Sequence, residues 1–111
     1  MVLFLESPNV TRTGGRAIDV VVIHTIEIAE RADSAESAAR WFAQASAQVS
    51  AHYTVDADSV VQCVRDQDIA WHARGGNRAS IGIELAGRAA QSAREWDDPY
   101  SRAVLRRAAG L

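Results

Sequence analysis

The sequence predicts an α/β domain with a central mixed β-sheet flanked by helices. Three observations carry this expectation. "DVVVIHT" (19–25) is a β-branched run that is apolar at successive positions. "YTVDADSVVQCV" (53–64) places two such runs around a polar turn, a pairing that must be antiparallel. Between and after these runs the apolar residues switch to helical spacing, the alternation expected of helices laid on a sheet. At 111 residues the chain is the size of a single small domain, 1–111.

The elements follow in order. "ESPNVTRTGGRA" is rich in Pro, Asn, Thr and Gly and reads as an irregular lead-in. Residues 18–24 form the first strand, expected at the centre of the sheet because both of its faces are apolar. "ERADSAESAARWFAQASA" is helical, with Asp33 as N-cap and Glu36 at capping-box spacing. Ala35, Ala38, Ala39, Phe42 and Ala45 fall on one stripe, which predicts close packing on the sheet. Tyr53 and Val55 enter a hairpin that turns at Asp56–Ser59 and returns over Val60–Val64. "DQDIAWHARGGNRA" reads as a loop, with turn formers at Gly75, Gly76 and Asn77. In "SIGIELAG", Ile81, Ile83 and Leu85 point one way and Ser80, Gly82, Glu84 and Ala86 the other. Asp98 followed by Pro99 starts a last helix, with Tyr100, Val104, Ala108 and Leu111 on one face.

Composition narrows the function. With 48% hydrophobic and 23% charged residues the chain has the make-up of a globular, soluble domain. A net charge of -2 without a basic block argues against nucleic acid as partner. No apolar run is long enough to span a membrane. The opening "MVLFLESPNV" lacks the basic start and the length of a signal peptide, so the expectation is cytoplasmic synthesis. The single cysteine, Cys63, has no partner for an internal disulfide and reads as a small buried residue on a strand.

Candidate chemistry rests on a few polar residues in apolar surroundings. Of the three histidines, His24 is the best placed, because it ends a strand and ligand sites of α/β sheets gather at strand ends. Thr25 beside it can donate or accept a hydrogen bond. Glu84 sits inside an apolar strand. It is either on a solvated face or lines a cleft with a raised pKa suited to general base work. Its small neighbours Gly82 and Ala86 leave room for a ligand or for a closely packed helix. Trp71, His72 and Asn77 could form a rim for a polar substrate, or a surface loop anchored by Trp71. Spacing alone gives weak support for a metal: there is no HExxH and no CxxC.

"SPN…VVVIHT", "SAHYTVDADSVVQCV", "AWHARGGN" and "SIGIELAG" stand in an order and spacing that resembles the type-2 N-acetylmuramoyl-L-alanine amidases. This is a family of zinc-dependent peptidoglycan hydrolases that includes phage endolysins and shares its fold with the peptidoglycan recognition proteins. The likeness runs from about Ser7 to the C-terminus. It implies hydrolysis of the amide between the lactyl group of N-acetylmuramic acid and L-alanine, with peptidoglycan or a muropeptide as partner. It implies His24 as the first Zn2+ ligand and Glu84 as the acidic residue that assists the attacking water. It places His72 and Asn77 in the loop beside the substrate groove, where Thr25 and Trp71 are also expected to bind substrate, and gives His52 a structural role. Ala51 stands where some relatives carry a catalytic tyrosine.

The family takes its other two ligands, and a helpful lysine or threonine, from a segment after the last long helix. This sequence ends within that helix and has no lysine. The expectation is therefore a C-terminally truncated amidase domain, with three readings: an amidase, a peptidoglycan-binding module without turnover, or a remnant that folds with a partner. An apolar face left open near the C-terminus would favour a homodimer. Action on the cell wall fits a phage lysin or an actinobacterial enzyme.

Overall fold

The computed structural model describes residues 2–111. Seven strands and two α-helices are present: β1 (Val2–Phe4), β2 (Val10–Thr11), β3 (Val20–Thr25), α1 (Ser34–Phe42), β4 (Tyr53–Val55), β5 (Val60–Gln62), β6 (Ile69–Ala70), β7 (Ser80–Leu85) and α2 (Pro99–Ala109). Five strands form one sheet in the order β1-β5-β4-β7-β3, and β2 pairs with β6 in a separate antiparallel ribbon. Only the β4–β5 hairpin is antiparallel within the main sheet; β1–β5, β4–β7 and β3–β7 are parallel. The predicted mixed α/β architecture is therefore present.

The helices lie on opposite faces. α1 buries Ala35, Ala38, Ala39 and Phe42, and Ala35, Ala39 and Phe42 pack with Ala51, Val61, Cys63 and Val64. Alanines let the helix approach closely, and Phe42 supplies the volume; truncating a buried Phe to Ala typically costs about 3–5 kcal/mol. α2 buries Val104 against Val55, Val60, Ile83 and Leu85. Cys63 is fully buried, and that burial pushes its thiol up to about 12, so it is an inert packing residue.

The strand carrying His24 is not central. β3 pairs only with β7 and forms the edge of the sheet. Its apolar residues are half exposed, with Val20 at 48%, Val21 at 55% and Ile23 at 53%. An apolar run on both faces fits a central strand, but here part of each face near the edge lies beyond the reach of the helices.

Other expectations are corrected in the same way. α1 is shorter than the helical pattern: after Phe42 the chain enters a 3-10 turn at Ala45–Ala47, and Ala45 leaves the stripe and is exposed. The "SPN" residues are the reason. The Asn9 side-chain amide donates to the carbonyls of Phe42 (3.2 Å), Gln44 (2.9 Å) and Val49 (3.1 Å), and Ser7 Oγ also donates to Phe42. These donors take up carbonyls that a continuing helix would use. The presumed lead-in at 6–17 thus contains β2 and a helix stop, β1 precedes it, and the loop at 66–79 contains β6. In α2, Asp98 caps by accepting from the Ser101 N–H at 2.7 Å, as its position before Pro99 predicts. Leu111 does not join the buried face and is 46% exposed.

Asp33 makes no side-chain cap, so the predicted capping box is absent. Asp56 of the β4–β5 turn reaches across instead. Its Oδ2 accepts from the Ala35 N–H at 2.9 Å, and its Oδ1 accepts from the Ser59 N–H (2.8 Å) and Ser59 Oγ (2.7 Å). Burial acts to raise this carboxyl, but these donors outweigh it and hold its pKa below the usual value. Because the folded pKa lies below the unfolded one, the contribution is fully present above the unfolded value of 3.8 and is lost as pH falls through the folded pKa. Asp56→Ala removes a cap and a turn anchor together and is expected to lower stability by about 1–3 kcal/mol in urea denaturation at pH 7. The deficit should shrink as both proteins are acidified below pH ~4.

Candidate functional site

The site is assembled on the α1 face where β3 and β7 lie side by side. The parallel register pairs Val22 with Gly82, His24 with Glu84 and Val20 with Ser80. Registered neighbours in adjacent strands project to the same side. His24 and Glu84 therefore share the α1 face, while Ile23 and Ile83 turn to the α2 face.

His72 completes the cluster. His24 Nε2 lies 3.0 Å from His72 Nδ1, and His72 Nε2 lies 2.9 Å from Ser80 Oγ. Ser80 Oγ donates to the Gly76 carbonyl at 2.7 Å, so the consistent set of donors has His72 Nε2–H donating to Ser80 and His24 Nε2–H donating to His72 Nδ1. The backbone of His72 is fixed by Asn77, whose Oδ1 accepts from the N–H of His72 (3.0 Å) and of Ala73 (2.6 Å). Gly82 supplies the floor: a Cβ there would stand 2.5 Å from His72 Cγ. The space left by the small residue on this strand is thus filled by a histidine ring of the chain itself.

Electrostatics set these groups apart. Glu84 is pushed up to about 7, first by burial and then by the nearby negative charge of Glu27. Glu27 is itself held ionised by hydrogen bonds from Thr25 Oγ1 and the Ala89 N–H. His72 is pushed down to about 4, first by burial and then by His24. Burial also lowers His24. At neutral pH the cluster holds two neutral imidazoles beside a carboxyl that can exchange a proton in either direction, the condition that favours general acid–base work.

A groove of about 420 Å³ opens beside this cluster, lined by Thr25, Trp41, Phe42, Trp71, His72 and Glu84 among others. Trp71 is set by two hydrogen bonds to Ser50 (Ser50 N–H to the Trp71 carbonyl, 2.9 Å; Trp71 N–H to Ser50 Oγ, 3.0 Å) and by its indole N–H donating to Thr11 Oγ1 at 3.0 Å. A second pocket adjoins the groove at Val49, Trp71 and His72 and is lined also by Gln48, Arg74 and Asn77. The structure therefore brings His24, Thr25, Trp71, His72 and Glu84 to one place, with Asn77 supporting the loop behind them. His52 is buried and structural: its Nδ1 accepts from the Gly82 N–H at 3.1 Å and its Nε2 meets the Asp68 carbonyl at 2.8 Å. Trp41 as a groove wall and Glu27 as a charge near Glu84 were not singled out by the sequence. The signal for Trp41 was present, a large ring on the polar side of the α1 stripe.

Residues 14–111 match the Amidase_2 family model, described as N-acetylmuramoyl-L-alanine amidase. The chain belongs to this amidase family. It is 39% identical over 82 residues to N-acetylmuramoyl-L-alanine amidase A of Achromobacter lyticus, covering 72% of this chain and 44% of that protein. The chain thus matches less than half the length of that relative. The catalytic domain of XlyA is similar in structure, with a TM-score of 0.75 and 23% identity over 97% of this chain and 70% of that one. A selenomethionine derivative of AmpD gives 0.68 and 22% over 98% and 70%. At such identities the superpositions establish the fold of the amidase domain.

The family is generally zinc-dependent, and the donors of this amidase domain can be tested against that requirement. A catalytic zinc takes three protein ligands and keeps one position open. Among the described residues no three His, Cys, Asp or Glu gather into a set that could hold a metal ion. His24 is one donor, and its Nε2 is engaged by His72. The residues present do not fit a complete zinc site. Elemental analysis of the dialysed 111-residue chain is accordingly expected to find well under one zinc per chain, with His24→Ala no different. About one zinc, lost in His24→Ala, would contradict this. A second expectation concerns Glu84. Its folded pKa is raised, so ionising it disfavours folding once pH passes the unfolded value of 4.5 and fully so above about 7. In the presence of a chelator, Glu84→Gln should raise Tm at pH 8, and the gain should vanish near pH 4.

Proposed function

We propose that this amidase domain binds the junction between N-acetylmuramic acid and L-alanine of peptidoglycan or a muropeptide, and that its groove serves hydrolysis of that amide. The observation that carries the reading is the pairing of His24 with Glu84 at the mouth of an aromatic-lined groove, with Glu84 at about 7. Thr25, Trp71 and His72 line that groove, and Asn77 holds the loop that presents His72. In this reading the walls orient the substrate, and the Glu84 carboxylate takes a proton from water and returns it to the leaving amine. His24 is the position at which the family's zinc would be bound. The donors present do not complete that site, so no step is assigned to the metal here.

The incomplete donor set favours a second reading, a peptidoglycan-binding module without turnover. One experiment separates them. Purified chain is titrated with N-acetylmuramoyl-L-alanyl-D-glutamate, and release of free L-alanyl-D-glutamate is followed with zinc added. Cleavage that falls by about 10²-fold or more in Glu84→Gln, with binding retained, supports the amidase. Binding without cleavage assigns the chain to the second reading. Absence of binding refutes both.

A further inference from the structure

The groove has two unlike halves that meet at Val49, Trp71 and His72. The half beside α1 is apolar and aromatic. Trp41 forms its wall, stacked at a tilt on Phe42 with ring centroids 5.4 Å apart, and 51% of Trp41 remains open to a ligand. No arginine lines that half, and apart from His72 its ionisable residue is the acid Glu84. The half beyond Trp71 contains Arg74, which is exposed and makes no ion pair among the described residues.

From this polarity, and resting on the proposed muropeptide reading, we infer that Trp41 is the saccharide-binding residue and Arg74 the carboxylate-binding residue, so that the substrate lies with its sugar along α1 and its peptide stem across Trp71 towards the 72–77 loop. The two chemistries sort the two halves. A pyranose ring offers C–H faces and an N-acetyl methyl, which are uncharged and pack well on an indole. A peptide stem with free carboxylates would enter the Trp41 half against the charge of Glu84 and meet no cation. On the other side, the guanidinium of Arg74 can bind a carboxylate through two parallel hydrogen bonds. The amide between sugar and stem then falls at Trp71 and His72, beside His24 and Glu84. Trp41 and Arg74 act as specificity-determining residues and touch no reacting atom.

The test is an NMR titration of the 111-residue chain with three probes: N-acetylmuramoyl-L-alanyl-D-glutamate, the methylamide of N-acetylmuramic acid, and L-alanyl-D-glutamate. Trp41→Ala is expected to weaken the two sugar-containing probes by about tenfold and to leave the dipeptide unchanged, with most of the affinity restored in Trp41→Phe. Arg74→Gln is expected to weaken the two peptide-containing probes by about tenfold and to spare the sugar amide. Because both side chains are exposed, neither change opens the core. If Trp41→Ala weakens the dipeptide and spares the sugar amide, or if both variants act equally on all three probes or on none, the assignment is overturned while muropeptide binding stands. If the wild-type chain binds none of the probes, the muropeptide reading fails and the assignment fails with it.

Discussion

The parallel ladder between β3 and β7 is the constraint on which the site depends. Its register places His24 beside Glu84 and Val22 beside Gly82. Side chains alternate along a strand, so a slip of one residue would carry His24 to the α2 face, among Ile83 and Leu85, and leave Glu84 beside an aliphatic side chain. Gly82 adds a second condition. With no Cβ at that point, the His72 ring lies directly over the strand and reaches His24. The groove walls follow from these contacts, because the loop that delivers His72 also delivers Trp71 and is tied to Ser50 and Thr11.

Two carboxylates show how surroundings lead to opposite protonation. Asp56 is buried but receives hydrogen bonds from Ala35, Asp58 and Ser59, and it is held below the ordinary carboxylate value. Glu84 is half-buried near a second acid, and no cation contributes to its shift, so it rises to about 7. The first is structural, a charged staple between the hairpin turn and α1. The second is a proton-exchanging group in a groove. Surroundings rather than residue type separate structure from chemistry in this domain.

Much of this was legible in the sequence. Strict alternation in "SIGIELAG" assigned Ile83 and Glu84 to opposite faces, and the Asp-Pro pair located the start of α2, because both signals are local. What failed depends on distant chain. Asp33 has the spacing of a cap, yet Asp56 takes over that work from a turn 21 residues away. The α1 stripe runs on to Ala45 by periodicity, yet Ser7 and Asn9 stop the helix at Phe42 from positions 35 and 33 residues earlier. β3 looks central because its residues are apolar, and apolar composition does not report which neighbours the fold supplies. Five of the six expected site residues border one groove or its cluster; Asn77 supports them from the adjoining loop, through hydrogen bonds that no local pattern encodes.

The edge position of β3 has a mechanical consequence. Glu84 is on a strand clamped from both sides, by β4 and by β3, whereas His24 is on a strand held from one side only. The two halves of the pair therefore differ in stiffness: the carboxyl is mounted on the rigid interior of the sheet and the imidazole on its compliant rim. Among the described residues the outer rim also has no strand partner, and Val20–Thr25 contains no proline and no Lys, Arg, Asp or Glu to discourage pairing. Any strand added along that rim would brace the imidazole as well as close the sheet, so assembly at the edge and geometry at the groove are parts of one mechanical problem.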